Sequence, residues 1–207
     1  MSKIAVIGGG SFGTVIANII AGNGHEVRFW MRSESLAKQV NKQHENPEYL
    51  PGYPLAERVV ATHDMEQAVS GSSVIFVAVP STSFRSVVQQ IMEHAASGVI
   101  LVSTTKGIEA GSFMLMSEVL KAEAPEAKIG VLSGPNLAKE IAASQMTGTV
   151  IASSHESVRT TIQELLKSDT FRVYANDDVF GIELGGSMKN IYAIIAGIAS
   201  ALGMGYN

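Results

Sequence analysis

Three groups of residues in this sequence could do chemistry. The first is Gly8-Gly9-Gly10-Ser11-Phe12-Gly13, which fits the spacing G-x-G-x-x-G close to the N-terminus. Each glycine serves a separate purpose. Gly8 permits a tight turn, Gly10 leaves room for a pyrophosphate, and Gly13 allows close packing of helix on strand. The helix opening there presents free N–H groups and the positive end of its dipole to phosphates. The second group is Lys106 with Gly107, just past an apolar run. The third is Lys189, preceded by Gly185-Gly186-Ser187-Met188 and followed by the uncharged stretch 190–207. As the last charged residue before that stretch, Lys189 is expected on a mostly buried helix. A buried lysine must find a partner or give up its proton more easily, which makes Lys189 a candidate acid/base group.

A dinucleotide site also needs a group for the adenosine ribose. An NAD site places Asp or Glu about 20 residues beyond the glycines. Here the matching segment reads Arg28-Phe29-Trp30-Met31-Arg32-Ser33, and the nearest acid is Glu34 beyond it. Arg32 with Ser33 suits a 2′-phosphate, through a charge-assisted guanidinium fork. NADP(H) is therefore favoured, with NAD(H) as the alternative.

The elements that would position these groups alternate along the chain. Strands are expected at 3–7, 26–31, 58–62, 73–79, 99–103, 129–132, 149–152 and 171–174. Helices are expected at 12–23, 33–43, 81–94, 112–122 and 156–167, with a short one capped by Asp64 and another opened by Gly134-Pro135-Asn136. Residues 46–57 read as a polar loop. The continuous apolar run Ser73–Val79 fits a strand buried on both faces of a parallel sheet. The alternation implies an α/β fold: a Rossmann-type, doubly wound, mostly parallel sheet with helices on both faces. From Asp178 the pattern is helical to the end. This divides the chain into a dinucleotide-binding domain over 1–177 and the start of a helical domain over 178–207.

Composition removes other classes. Of 207 residues, 46% are hydrophobic and 16% charged, which excludes general disorder. The net charge of −4 gives no basic surplus for nucleic acid. There is no cysteine, so disulfides, thiolate metal sites and cysteine nucleophiles are excluded, and a cytoplasmic location fits. The five histidines are scattered, and no metal site is expected. No signal-peptide core precedes the glycine loop. The stretch 190–207 is interrupted by Gly197, Gly203 and Gly205 and reads as a buried helix rather than a membrane span.

Taken together, the motifs resemble the NAD(P)-dependent glycerol-3-phosphate dehydrogenases of bacterial type. The resemblance runs through Ile7 to Thr14, Ala78-Val79-Pro80-Ser81, Thr105-Lys106-Gly107-Ile108, Leu132-Ser133-Gly134-Pro135 and, most specifically, Glu183-Leu184-Gly185-Gly186-Ser187-Met188-Lys189-Asn190 with Ala196-Gly197. It implies an oxidoreductase interconverting dihydroxyacetone phosphate and sn-glycerol 3-phosphate, a small phosphate ester, for glycerophospholipid synthesis. It implies that Lys189 is the proton donor and acceptor and that Lys106 touches both cofactor and substrate. Ser11, Phe12, Arg32, Tyr49 and Ala138 would contact the cofactor; Gly134 and Asn136 would contact the substrate. Family members more often carry Ser or Thr at position 136, and the Asn136 amide can likewise donate and accept. The family's second, all-helical domain supplies further phosphate ligands, and residue 207 falls about where that domain begins. Three alternatives remain open. One is a non-catalytic dinucleotide-binding module in the 207-residue form. Another is a sibling two-domain dehydrogenase of β-hydroxyacid or ketopantoate type. A third is a bare doubly wound domain. An uncovered face on the last helix would also favour a homodimer.

Overall fold

The computed structural model describes residues 3–204, with residue 190 described through its backbone only. The glycine loop separates β1 (Lys3–Ile7) from α1 (Ser11–Gly22). Then follow β2 (Glu26–Trp30), α2 (Glu34–Gln43), the short β3 (Glu45–Asn46), β4 (Leu50–Pro54), β5 (Val59–Thr62) and α3 (Met65–Val69). The middle of the chain forms β6 (Val74–Val77), α4 (Ser81–Met92), β7 (Ile100–Ser103) and α5 (Met116–Glu123). The last third forms β8 (Lys128–Ser133), α6 (Ala138–Ala142), β9 (Thr147–Ala152), α7 (Glu156–Leu166), β10 (Phe171–Asn176) and α8 (Val179–Ala201).

Eight strands make one sheet in the order β10-β9-β8-β7-β6-β1-β2-β5. The six strands from β8 to β5 are mutually parallel. β9 pairs antiparallel with β8, and β10 pairs parallel with β9, so the last two strands run the other way. The fold is thus the Rossmann-type, doubly wound and mostly parallel sheet that the alternation implies.

Period-two side-chain direction explains why both faces are covered. Along β1, Ile4 and Val6 enter a core shared with α1, α2 and α7, whereas Ala5 and Ile7 enter a second core shared with α3, α4 and α5. β6 divides in the same way, Val74 and Phe76 to one side, Ile75 and Val77 to the other.

Several boundaries depart from the sequence expectation. The region read as a polar loop contains an antiparallel ribbon, β3 with β4. The helix expected from residue 112 begins at Met116, because residues 107–115 form a turn closed by an Ile108–Leu115 bridge, with Phe113 at φ 59°. The helix after Gly134 starts at Ala138 instead of directly behind Asn136. The largest correction concerns α8. Its first turns pack on β8, and Glu183 is buried, but Ile191, Tyr192, Ile194, Ile195 and Ile198 are all more than half exposed. The apolar pattern correctly marks a surface that needs covering, and nothing in residues 3–204 covers it. Among the described residues, no helix is long and apolar enough to cross a membrane.

Candidate active site

The glycine loop is shaped by what a side chain would strike. Gly8 has φ 127°, a conformation other residues rarely adopt, and a Cβ there would collide with the Ala78 carbonyl. A Cβ on Gly13 would collide with the Gly8 carbonyl, so the start of α1 lies directly against the end of β1. Around Gly10, by contrast, there is open space. Gly10 caps α1 without any side-chain acceptor for the first-turn N–H groups. A concave, glycine-lined helix start with unclaimed donors fits a dinucleotide pyrophosphate. Ser11 and Phe12 open the helix, and Phe12 packs its ring partly onto the core.

Asn46 carries no distinguishing mark in its sequence context, yet it organises this loop. It is fully buried. Its Nδ2 donates to the Gly9 carbonyl at 2.9 Å and to Thr14 Oγ1 at 2.8 Å, while its Oδ1 accepts from the Tyr49 N–H at 3.2 Å. Ser11 Oγ donates to the Tyr49 carbonyl at 2.6 Å. The β3–β4 ribbon is thereby tied to the glycine loop, and Tyr49 stands beside it, partly exposed. A buried asparagine in a loop resembles any turn residue in sequence; only its pairing distinguishes it.

Beyond the end of β2, Arg32 is exposed and makes no hydrogen bond or ion pair among the described residues. Its charge acts on the Tyr49 phenol, which the neighbouring Glu48 pushes upward more strongly. Ser33 caps α2, accepting from the Leu36 N–H at 3.2 Å. Glu34 is engaged by Lys38 at 2.7 Å, and that bond holds its carboxyl below the ordinary range. The acid nearest the strand end is therefore occupied, and the guanidinium is available.

A short path of contacts leads from the glycines to the lysines. Gly8 abuts Ala78; the Val79 carbonyl accepts from Thr105 Oγ1 at 2.7 Å; Lys106 is next in the chain. Lys106 Nζ donates to the Gly134 carbonyl at 3.0 Å, beyond the end of β8. Lys189 stands on the third turn of α8, half-buried and two residues after Ser187, whose Oγ accepts from the Gly107 N–H at 3.1 Å. Partial burial first, and the charge of Lys189 second, drive the Lys106 ammonium below the ordinary lysine value of 10.5. The segments that carry the two lysines are joined by the Gly107–Ser187 hydrogen bond beyond the carboxyl ends of β7 and β8.

Gly134 and Asn136 flank the pair. A Cβ on Gly134 would lie 2.7 Å from Asn136 Oδ1, so that turn has no room for a side chain. The Asn136 amide is used within the protein: Nδ2 donates to the Gly148 carbonyl at 3.3 Å, and Oδ1 accepts from Thr149 Oγ1 at 3.2 Å. Ala138, the first residue of α6, is half-buried and packs on the same core as α1. A hollow of about 630 Å³ between α5 and the first turn of α8, lined by Ser117, Lys121, His155 and Asp178, contains neither lysine nor any glycine of the loop. Among the described residues there is no cluster of three metal-ligating side chains.

Comparison with known proteins gives a consistent result. Residues 3–159 match the family model described as the N-terminus of NAD-dependent glycerol-3-phosphate dehydrogenase, and residues 178–207 match the model of its C-terminus. A glycerol-3-phosphate dehydrogenase (NAD(P)+) of Teredinibacter turnerae is 54% identical over 205 residues, covering 99% of this chain and 60% of that protein. One of Pseudomonas entomophila is 54% identical over 206 residues, with the same coverage. The crystal structure of glycerol-3-phosphate dehydrogenase from Coxiella burnetii superposes with a TM-score of 0.91 at 36% identity, covering 100% of this chain and 63% of that one. The chain spans about three fifths of the length of the curated relatives it matches.

Proposed function

Because the chain belongs to the NAD-dependent glycerol-3-phosphate dehydrogenase family, we propose that it supplies the cofactor cradle and catalytic lysines for interconverting dihydroxyacetone phosphate and sn-glycerol 3-phosphate. The observation that supports the reading is the Gly107–Ser187 bond, which joins the segments carrying Lys106 and Lys189 where Lys106 donates to the Gly134 carbonyl, a few contacts from the glycine loop. When bound, the reduced nicotinamide supplies the hydride that the substrate carbonyl carbon accepts. As that bond forms, the carbonyl oxygen gains negative charge. Lys189 delivers a proton to this oxygen, and the Lys106 ammonium stabilises the charge before the proton arrives. In the reverse direction Lys189 takes the proton back.

Gly8, Gly10, Gly13, Ser11 and Phe12 hold the pyrophosphate end, Tyr49 and Ala138 border it, and Arg32 receives a 2′-phosphate. The free guanidinium and the occupied Glu34 support NADP(H) over NAD(H). Gly134 lines the substrate position. With both ends of its amide already bonded, Asn136 acts by shaping the turn around Gly134. Residues 1–177 form the dinucleotide-binding unit and 178–207 open the helical substrate domain, a division supported by the separate match of 178–207. The exposed apolar face of α8 supports burial against further protein, a second copy included. A cytoplasmic supply of glycerol 3-phosphate for phospholipid synthesis belongs to the same reading.

The test is NADPH oxidation by the full-length protein with dihydroxyacetone phosphate, with nucleotide binding followed by fluorescence. Lys189→Ala is expected to lower turnover by about 10³-fold and to leave NADPH binding near wild type. A loss of NADPH binding as large as the loss of turnover would sink the assignment. Turnover of a branched 2-keto acid in preference to dihydroxyacetone phosphate would favour the ketopantoate-type reading.

A further inference from the structure

Two residues of α8 have hydrogen-bonding roles that the proposed reaction does not use. Glu183 is 3% exposed. Its Oε1 accepts from the Ser117 N–H at 3.0 Å, and its Oε2 has no partner among the described residues. Ser117 lies in the first turn of α5, whose cap position is occupied by Leu115, a side chain with no acceptor. Glu118 reaches back to the Leu115 N–H at 2.7 Å, which is only half of a capping box. Glu183 therefore supplies from another helix the acceptor that Ser or Asp usually supplies locally, facing the positive end of α5.

One turn further along α8 stands Ser187. Its Oγ accepts from the Gly107 N–H at 3.1 Å and donates to the Glu183 carbonyl at 3.0 Å. A hydroxyl has one proton; with that proton committed to its own helix, a lone pair is left for Gly107. Gly107 directly follows Lys106, and Ser187 stands two residues before Lys189. A single hydroxyl thus joins the two lysine-bearing segments, which lie 80 residues apart. The seat is close: a Cβ on Gly186 would collide with the Ser133 hydroxyl at the end of β8.

We propose that Ser187 is a positioning residue that holds the Lys106 turn against the Lys189 helix, with Glu183 anchoring that helix one turn earlier through the start of α5. The proposal takes the role of the two lysines from the function proposed above, but the clamp itself is a matter of geometry. The Lys189 charge lies near enough to disfavour the Lys106 ammonium, so the two repel. The Nζ bond to the Gly134 carbonyl holds the end of the Lys106 side chain, and the Gly107–Ser187 bond holds the backbone of its turn against that repulsion. Freed of the backbone bond, the turn draws away from Lys189, so the Lys106 proton is held more tightly.

The test uses the full-length protein and the pair Ser187→Thr and Ser187→Val, which are nearly equal in volume and differ chiefly in the hydroxyl. Three quantities are read: kcat, NADPH affinity, and the titration of Lys106 followed by NMR of ¹³C-dimethylated lysines, assigned with Lys106→Arg. Ser187→Val is expected to lose about tenfold in kcat, to keep its NADPH affinity, and to move the Lys106 titration to higher pH. Ser187→Thr is expected to restore both. An unmoved Lys106 titration in Ser187→Val overturns the proposal, as does equal behaviour of the two variants. A valine variant that fails to fold while the threonine variant folds assigns the bond to stability and overturns the positioning role. Should Lys189→Ala keep its turnover, the reaction reading fails; a shifted Lys106 titration in Ser187→Val would still establish the clamp.

Discussion

The glycine cradle and the lysine pair occupy the same end of the sheet but are built in opposite ways. The cradle is local. β1, the loop and α1 are consecutive, and their fit depends on side chains that are absent, with Gly13 against the Gly8 carbonyl. The lysine pair is assembled at long range. Lys106, Gly134 and Lys189 sit on three elements, joined by single hydrogen bonds from Nζ to a carbonyl and from Gly107 to Ser187. The cradle is fixed by steric exclusion, so damage to it should spread into folding. The pair is held by a few polar contacts, so damage there should remain in the chemistry.

The largest expected effect lies on the lysine side. Lys106→Met should reduce kcat by about 10²–10³-fold with little change in melting temperature. Its wild-type counterpart has an alkaline limb: activity should fall as pH rises through a value below the ordinary 10.5, because Lys106 must stay charged while burial and Lys189 disfavour that charge. A kcat profile flat to pH 10.5 would break the comparison. Next is Gly13→Ala in the cradle, which should cost about 3 kcal/mol of stability and weaken NADPH binding together with it, by chemical denaturation and fluorescence titration. A variant that binds poorly but melts normally would show the cradle to be as separable from the fold as the lysines are.

The smallest effect is expected away from both. Arg85 on α4 ion-pairs with Glu109 in the turn after Lys106 and with Glu123 on α5. The Arg85 contact, helped by Ser112, depresses the Glu109 carboxyl to about 2. A depressed carboxylate contributes stability that is complete above its unfolded value near 4.5 and is lost as pH falls through about 2. Arg85→Gln should therefore shift the denaturation midpoint slightly downward at neutral pH, with the difference from wild type shrinking as pH falls from 4.5 through about 2. The shift would be read by circular dichroism along an acid titration.

This contrast also explains what is legible in the sequence. A run such as Lys3–Ile7 followed by spaced glycines carries its own geometry, so β1, the loop and α1 can be read directly. The β3–β4 ribbon cannot, because three prolines and few apolar residues resemble a loop, and Asn46 becomes informative only once Gly9, Thr14 and Tyr49 surround it. The reversal of β9 leaves no trace, since strand direction is a property of the connection. Both lysines stand out in the sequence, but the depression of the Lys106 ammonium is visible only once its burial and the nearby Lys189 charge are known. Hydrophobic pattern reports what seeks burial; it does not say that the apolar face of α8 is open in residues 3–204.

The two reversed strands have a consequence for where Lys189 can stand. Since β9 and β10 run against β8, the chain leaves the sheet at the end remote from the site, and α8 must climb back. From its cap at Asp178 to Lys189 that climb is about 16 Å, at 1.5 Å and 100° per residue. The helix therefore works as a ruler with a phase. Inserting or deleting one residue between Asp178 and Glu183 would barely change its reach, but it would turn Ser187 and Lys189 together by about 100°, away from the turn they meet. The position of Lys189 is thus set by counting, in a segment at the opposite end of the sheet.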